Sequence, residues 1–244
     1  METFSNVFQC AAREASADNP VIQMAGHWRE RYFQNDHPIV LELGCGRGEY
    51  TVGLAQRYPE KNFIGIDIKG ARMWAGAKQA ELAGLKNVAF LRTNIELLNQ
   101  FFSSDEIDEI WITFCDPQMK KATKRLTSSW FMDRYKQVLR ENGRIHLKTD
   151  SPFLYIYTRE MVKINDFTVY ADTNDLYAAA ENPENIEARA LQTHYEHQWL
   201  ERGMTIKYLS WALPHRETYA EPDIEIEKDN YRSYGRNYVS TANN

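Results

Sequence analysis

The sequence predicts an α/β fold: a seven-stranded, mostly parallel sheet with helices on both faces and the last strand antiparallel. Three observations carry that prediction. Short apolar runs rich in β-branched residues alternate with amphipathic stretches through most of the 244 residues, without an internal repeat or low-complexity tract. The first of these runs, Ile39 to Leu43, enters a turn with glycines at 44, 46 and 48, the strand–turn–helix opening of a nucleotide-binding unit. Finally, Glu42, Asp67, Asn94, Asp116 and Asp150 fall at or just beyond the C-terminal ends of successive strands, the edge along which open α/β sheets bind ligands.

Each element has a local reason. Residues 1–36 read as a helical or irregular lead-in, and the domain proper as 37–213. A second strand closes on Ile64-Gly65-Ile66-Asp67. Ala71 to Ala83 reads as a helix ended by Gly84, a residue free to take the left-handed cap conformation. Val88 to Arg92 is the third strand, Glu96 to Phe102 a short helix, and Ile107 to Phe114 a β-branched and aromatic fourth strand that stops at Asp116-Pro117. Ser128 to Leu139 puts Phe131, Tyr135, Val138 and Leu139 on one helical face, with Gly143 just beyond. Arg144 to Lys148 runs as a fifth strand into Thr149-Asp150, and Pro152 suits the first turn of a helix reaching Lys163. Phe167 to Tyr170 is the sixth strand, 172–203 an insertion, and Thr205 to Leu213 the last strand. Residues 214–244 are polar, tyrosine-rich and weakly patterned, and are expected to form a partly ordered extension.

The charges on the glycine loop decide what it can hold. A dinucleotide fingerprint needs a third glycine where this chain has Glu49, and a carboxylate at that helix start repels a pyrophosphate. S-adenosylmethionine has no phosphate and carries a sulfonium and an ammonium. Glu42 and Glu49 suit those cations, Gly44 and Gly46 form the cofactor loop, and Asp67 can accept from the ribose hydroxyls.

Composition bounds the rest. Hydrophobic residues make up 43% and charged residues 26%, ordinary for one globular α/β core. No apolar run reaches membrane-spanning length and the first 20 residues lack a basic-then-apolar leader, so a cytoplasmic location without membrane partners is expected. Cys10, Cys45 and Cys115 have neither disulfide nor metal-ligand spacing; no metal is expected, and Cys45 reads as a small loop residue. The net charge of −5 argues mildly against a general nucleic-acid binder, but its distribution is uneven. Lys120-Lys121-Ala122-Thr123-Lys124-Arg125 is purely basic, whereas 217–229 holds six acids and one lysine.

On the glycine loop 42–48, Asp116-Pro117-x-x-Lys120 with its basic continuation, Leu147-Lys148-Thr149-Asp150, and Thr193-His194-Tyr195-Glu196 followed by Trp199 and Gly203, the chain resembles the bacterial single-subunit tRNA (guanine-N7)-methyltransferases. The similarity covers roughly 27–213. It implies a class I, Rossmann-like methyltransferase fold, S-adenosylmethionine as cofactor, and tRNA as partner, with the variable-loop guanine 46 as target. Glu42, Asp67 and Asn94 then match cofactor-binding positions, and Asp116 one that both touches the cofactor and is catalytic. Lys120, Asp150 and Thr193, His194, Tyr195 and Glu196 match substrate positions, and Lys121, Lys124 and Arg125 extend the phosphate-holding set. The chain departs from the family pattern in having Cys115-Asp116-Pro117-Gln118 for Pro-Asp-Pro-Trp, and Asn94 for an acid. Transfer to another RNA or a small molecule, or RNA binding on a decayed fold, are the competing readings; a monomer or homodimer fits any of them.

Overall fold

Five consecutive buried residues, Ile39–Leu43, form β2, the strand from which the sheet grows in both directions. The computed structural model describes residues 4–10 and 18–230. Its sheet also contains β1 (Val7–Gln9), β3 (Asn62–Asp67), β4 (Val88–Arg92), β5 (Ile107–Thr113), β6 (Leu139–Thr149), β7 (Val169–Thr173) and β8 (Lys207–Leu213), in the order β1-β4-β3-β2-β5-β6-β8-β7. All pairings are parallel except those of β8 with β6 and β7. The chain steps outward from β2 through β3 to β4, then returns to the other side of β2 as β5. The order therefore reverses between β2 and β5, and the crevice beyond their C-terminal ends is the natural ligand position.

The helices are α1 (Glu49–Arg57), α2 (Gly70–Leu82), α3 (Leu98–Phe101), α4 (Ser129–Tyr135), α5 (Pro152–Ile164), α6 (Pro183–Arg189) and α7 (His194–Glu201). Alternation along β2 splits the core between the two sheet faces. Ile39, Leu41 and Leu43 join one layer with Trp28, Phe131 and Leu154, while Val40 joins the other with Tyr50, Met73 and Trp111. Interior strands apolar on both faces follow from this sandwiching.

Three features differ from the expectations. An eighth strand, β1, adds to the edge beside β4; at three residues it is too short for a period to show. The helix expected to Leu139 stops at Tyr135, and Leu139 already pairs with Ile107 in the sheet. Three extra residues of β6 loop out before Arg144 meets Glu109, with Asn142 in the left-handed region (φ 55°) and Gly143 inside the strand rather than closing a helix. A helical spacing of apolar residues persists across that junction, so periodicity alone does not mark it. Residues 214–229, without helix or strand, are nonetheless stitched to the domain. Asn165 exchanges bonds with the Ala220 carbonyl (2.8 Å) and N–H (2.7 Å), and Tyr219 and Asp229 are buried.

Candidate active site

The loop after β2 is bent by glycine and tied down by β3. Gly44 (φ 76°) and Gly48 (φ 72°) occupy the left-handed region; a Cβ on Gly48 would lie 2.5 Å from the Phe90 ring, whereas one on Gly44 would point into open space. The Gly44 and Cys45 N–H groups donate to the Ile66 carbonyl at 2.8 and 3.0 Å. Asp67 clamps the loop from the strand end: Oδ2 accepts from the Gly46 N–H (2.9 Å) and Oδ1 from the Lys69 N–H (2.7 Å). Each oxygen keeps a second lone pair for a ligand.

Two adjacent hollows lie over this edge. A cleft of about 500 Å³ is lined by Asp67, Ile68, Asn94, Asp116, Leu126 and Phe131 among others. A smaller one of about 90 Å³ is lined by Glu42, Gly46, Glu49, Thr113, Thr193 and Tyr195, and the two share Gly44, Arg72 and Phe114. Asn94 precedes a 3₁₀ turn but its side chain makes no capping bond there. Asp116 is exposed; its Oδ1 accepts from the Gln118 N–H (2.9 Å), and Phe114 and Gln118 on either side are both left-handed (φ 50° and 47°). Such backbone strain concentrates where a loop must present a side chain in one direction.

Glu42 forms the floor of the smaller hollow. It is buried, and accepts from the Thr51 N–H (2.8 Å), the Thr51 hydroxyl and the Thr113 hydroxyl (2.8 Å). Burial pushes its pKa up to about 7 against the pull of those donors, with nearby Asp67 adding to the rise. Burial likewise raises the Cys45 thiol well above its usual range, so it is no nucleophile.

The Thr193–Glu196 motif opens α7 beside the loop. Thr193 and Glu196 form a reciprocal capping box, and the His194 N–H donates to Glu49 Oε2 at 2.7 Å, joining this motif to the first residue of α1. Glu196 is fully buried: Oε1 meets Lys148 Nζ (2.8 Å) and the Tyr177 hydroxyl (2.7 Å), and Oε2 the Thr193 N–H (3.3 Å). Lys148 also donates to the carbonyls of Ala188 (2.6 Å) and Leu191 (2.8 Å), so one β6 ammonium pins the whole insertion. Burial lowers its pKa and Glu196 offsets part of that. Tyr195, 47% exposed, is left facing the hollow.

A family described as "Putative methyltransferase" matches residues 36–209. Over 99% of both chains the sequence is 58% identical to the tRNA (guanine-N(7)-)-methyltransferase of Porphyromonas gingivalis. The chain belongs to the tRNA (guanine-N(7)-)-methyltransferase family. The enzyme of that name from Clostridium acetobutylicum is 35% identical over 75% of this chain and 85% of its own. The 16S rRNA methyltransferase KamB shares the fold at 14% identity, with a TM-score of 0.57 over 76% of this chain and 92% of that one.

Among the expected site residues, Glu42, Gly44, Gly46, Asp67, Asn94, Asp116, Thr193 and Tyr195 converge on the two hollows. Others stand differently. Asp150 is fully buried, with the Lys207 ammonium on its carbonyl at 3.2 Å. Lys120 and Lys121 are exposed, and their ammonium groups make no bond among the described residues. Lys124 is paired with Glu96 at 2.8 Å. Arg125 lies over the Phe153 and Tyr157 rings (4.8 and 4.4 Å) and donates to the Gln118 and Met119 carbonyls at 3.2 Å, so it shapes the loop it sits on. Sequence reasoning missed Lys148 as the partner of Glu196 and Glu49 as the seat of α7; both contacts join residues dozens of positions apart. Among the described residues no His, Cys, Asp and Glu cluster could hold a metal, and no helix is long and apolar enough to cross a membrane.

Proposed function

We infer that this chain methylates N7 of a guanine in tRNA, the variable-loop guanine 46, with S-adenosylmethionine as methyl donor. The observation that carries the reading is the adjacency of the two hollows: a cleft with acids at its strand ends shares Gly44, Arg72 and Phe114 with the hollow lined by Thr193 and Tyr195. The residues fit the cofactor. Asp67 offers lone pairs at a strand end, Asn94 offers an amide, Glu42 and Glu49 bring carboxyl groups to the smaller hollow, and Gly44 leaves its space open.

When bound, that cofactor would supply a methyl on a sulfonium to the lone pair of N7, chemistry that takes no proton from the base. The protein therefore needs no strong base; it must align the guanine and hold the charge that develops on it. Asp116, exposed at the cleft and fixed by the Gln118 N–H, is placed to accept from the guanine N1–H and amino group and to stabilise the cationic product. Glu196 acts as a positioning residue: its oxygens are engaged by Lys148, Tyr177 and Thr193, and it sets the start of α7 and hence Tyr195. Lys120 and Lys121 hold phosphates, which orient the RNA without reading its sequence. The transferase unit is built on 37–213 with β1 and Trp28 packed into it from the preceding segment, and it acts in the cytoplasm as a monomer or homodimer. Incubation with unmodified tRNA and labelled S-adenosylmethionine, followed by nucleoside mass spectrometry, tests this: label in 7-methylguanosine supports it, and label elsewhere refutes it.

A further inference from the structure

The two hollows meet at a guanidinium that no other described residue engages. Arg72 is one of the three residues lining both, with Gly44 and Phe114, and the only charged one of the three. It is exposed, and its side chain makes no hydrogen bond, ion pair or ring contact among the described residues. The other cations along these walls stand differently: Arg47 approaches Glu49 at 3.6 Å, Lys124 is held by Glu96 at 2.8 Å, and Lys69 lines the cleft but not the smaller hollow. Arg72 also sits in the first turn of α2, where the aligned peptide dipoles already present positive charge, no acid stands beside it, and no side chain caps the helix start. A cation in that turn disfavours the helix in the free protein, and an anion brought to the guanidinium relieves the conflict.

The cofactor brings such an anion. Asp67 and Asn94, suited to its ribose and adenine, line the cleft alone, whereas Glu42 and Glu49, suited to its ammonium, line the smaller hollow alone. A ligand that reaches both sets must pass the residues the hollows share. Its amino-acid end carries an α-ammonium and an α-carboxylate on one carbon, so the acids that attract the first repel the second. The carboxylate needs a cation of its own, and a planar guanidinium matches it with two parallel N–H donors. A tRNA phosphate is the rival anion, but it would meet Glu42 and Glu49 with no positive group of its own to offset them, whereas the carboxylate arrives with the ammonium attached.

We propose that Arg72 is a cofactor-binding residue that holds the α-carboxylate of S-adenosylmethionine where the two hollows meet. The proposal rests on S-adenosylmethionine being the cofactor. Its test compares the parent with Arg72→Ala by calorimetry, using S-adenosylmethionine and its decarboxylated form, which keeps the sulfonium and the amine. The unfolding midpoint of the cofactor-free protein and tRNA affinity across salt are measured alongside. Arg72→Ala is expected to lose roughly tenfold in affinity for S-adenosylmethionine, the scale of a hydrogen bond between charged groups. It should bind the decarboxylated form no more weakly than the parent does, and without cofactor it should unfold at no lower a temperature, since alanine removes the adverse charge and favours the helix. Single-turnover transfer at saturating cofactor should stay near the parent's rate, because the carboxylate contact is the same in ground and transition states. Parental affinity for S-adenosylmethionine, or equal losses for the two ligands, overturns the contact. Parental cofactor affinity together with a tRNA salt slope flattened by about 0.7 to 1 gives Arg72 to a phosphate instead. A parent chain that binds neither ligand refutes the cofactor reading itself, which keeps the two failures apart.

Discussion

Burial between α1 and β5 pushes the Glu42 carboxyl up to about 7, and this ties both stability and cofactor binding to pH. The folded pKa lies above the unfolded one, so the contribution to stability is complete below pH 4.5 and is lost as pH rises to about 7. The loss is of order 3 kcal/mol. A cation bound beside Glu42 favours its ionised form, so S-adenosylmethionine should bind up to about tenfold more tightly at pH 8 than at pH 6 and release a proton in the lower range. Calorimetry at pH 6.5 in buffers of differing ionisation enthalpy reads that proton directly. Equal heats in all buffers would remove Glu42 from the cofactor's surroundings. Asp67→Ala should weaken cofactor binding by roughly 1.5 to 3 kcal/mol, since it removes a charged acceptor and the clamp on the Gly46 N–H together. Unchanged affinity in that variant would place the ribose elsewhere. Asp116→Asn should slow single-turnover methyl transfer while leaving the unfolding midpoint near the parent's, because the side chain is exposed on a loop; a rate within twofold of the parent would exclude it from the mechanism.

At the scale of elements, α7 and its insertion hang on one buried ion pair. Removing the ammonium with Lys148→Met should destabilise the fold by about 3 to 5 kcal/mol, because Glu196 is left charged and uncompensated, and pairing it with Glu196→Gln should recover much of that loss. Denaturant melts of the parent, both single variants and the double variant measure the coupling; additive losses would mean the pair does not act as a unit. The basic loop divides in the same way. Alanine at Lys120 or Lys121 should each flatten the salt slope of tRNA binding by about 0.7 to 1, and at Lys124 by less, since Glu96 already engages it. Equal slopes for all three would show that the Glu96 pair opens on binding. Sequence singled out Lys120, four residues after Asp116, but could not order Lys121, Lys124 and Arg125, because no local pattern shows that Arg125 stacks on rings from α5 while Lys124 pairs with Glu96.

Across the whole molecule, what could be read from the chain was what period and turn chemistry encode. Seven strands, their acidic ends and the cofactor loop follow from apolar alternation and glycine spacing, and they meet where the sheet order reverses. What escaped depends on contacts between distant residues or on segments too short to have a period. β1 spans three residues, the Lys148–Glu196 pair joins a strand to a helix 48 positions later, and Asp229 reaches Ser151 across 78. The polar run after Pro214 read as only partly ordered, without a place for its contacts, because its anchors are single side chains in an otherwise solvated stretch. Methylation of a tRNA guanine at N7 is decided by nucleoside mass spectrometry of an unmodified tRNA after reaction with methyl-labelled S-adenosylmethionine. One labelled 7-methylguanosine per tRNA is expected, and none when the variable-loop guanine 46 is replaced by adenine. Label in any other nucleoside, or 7-methylguanosine that persists in the substituted tRNA, would contradict it.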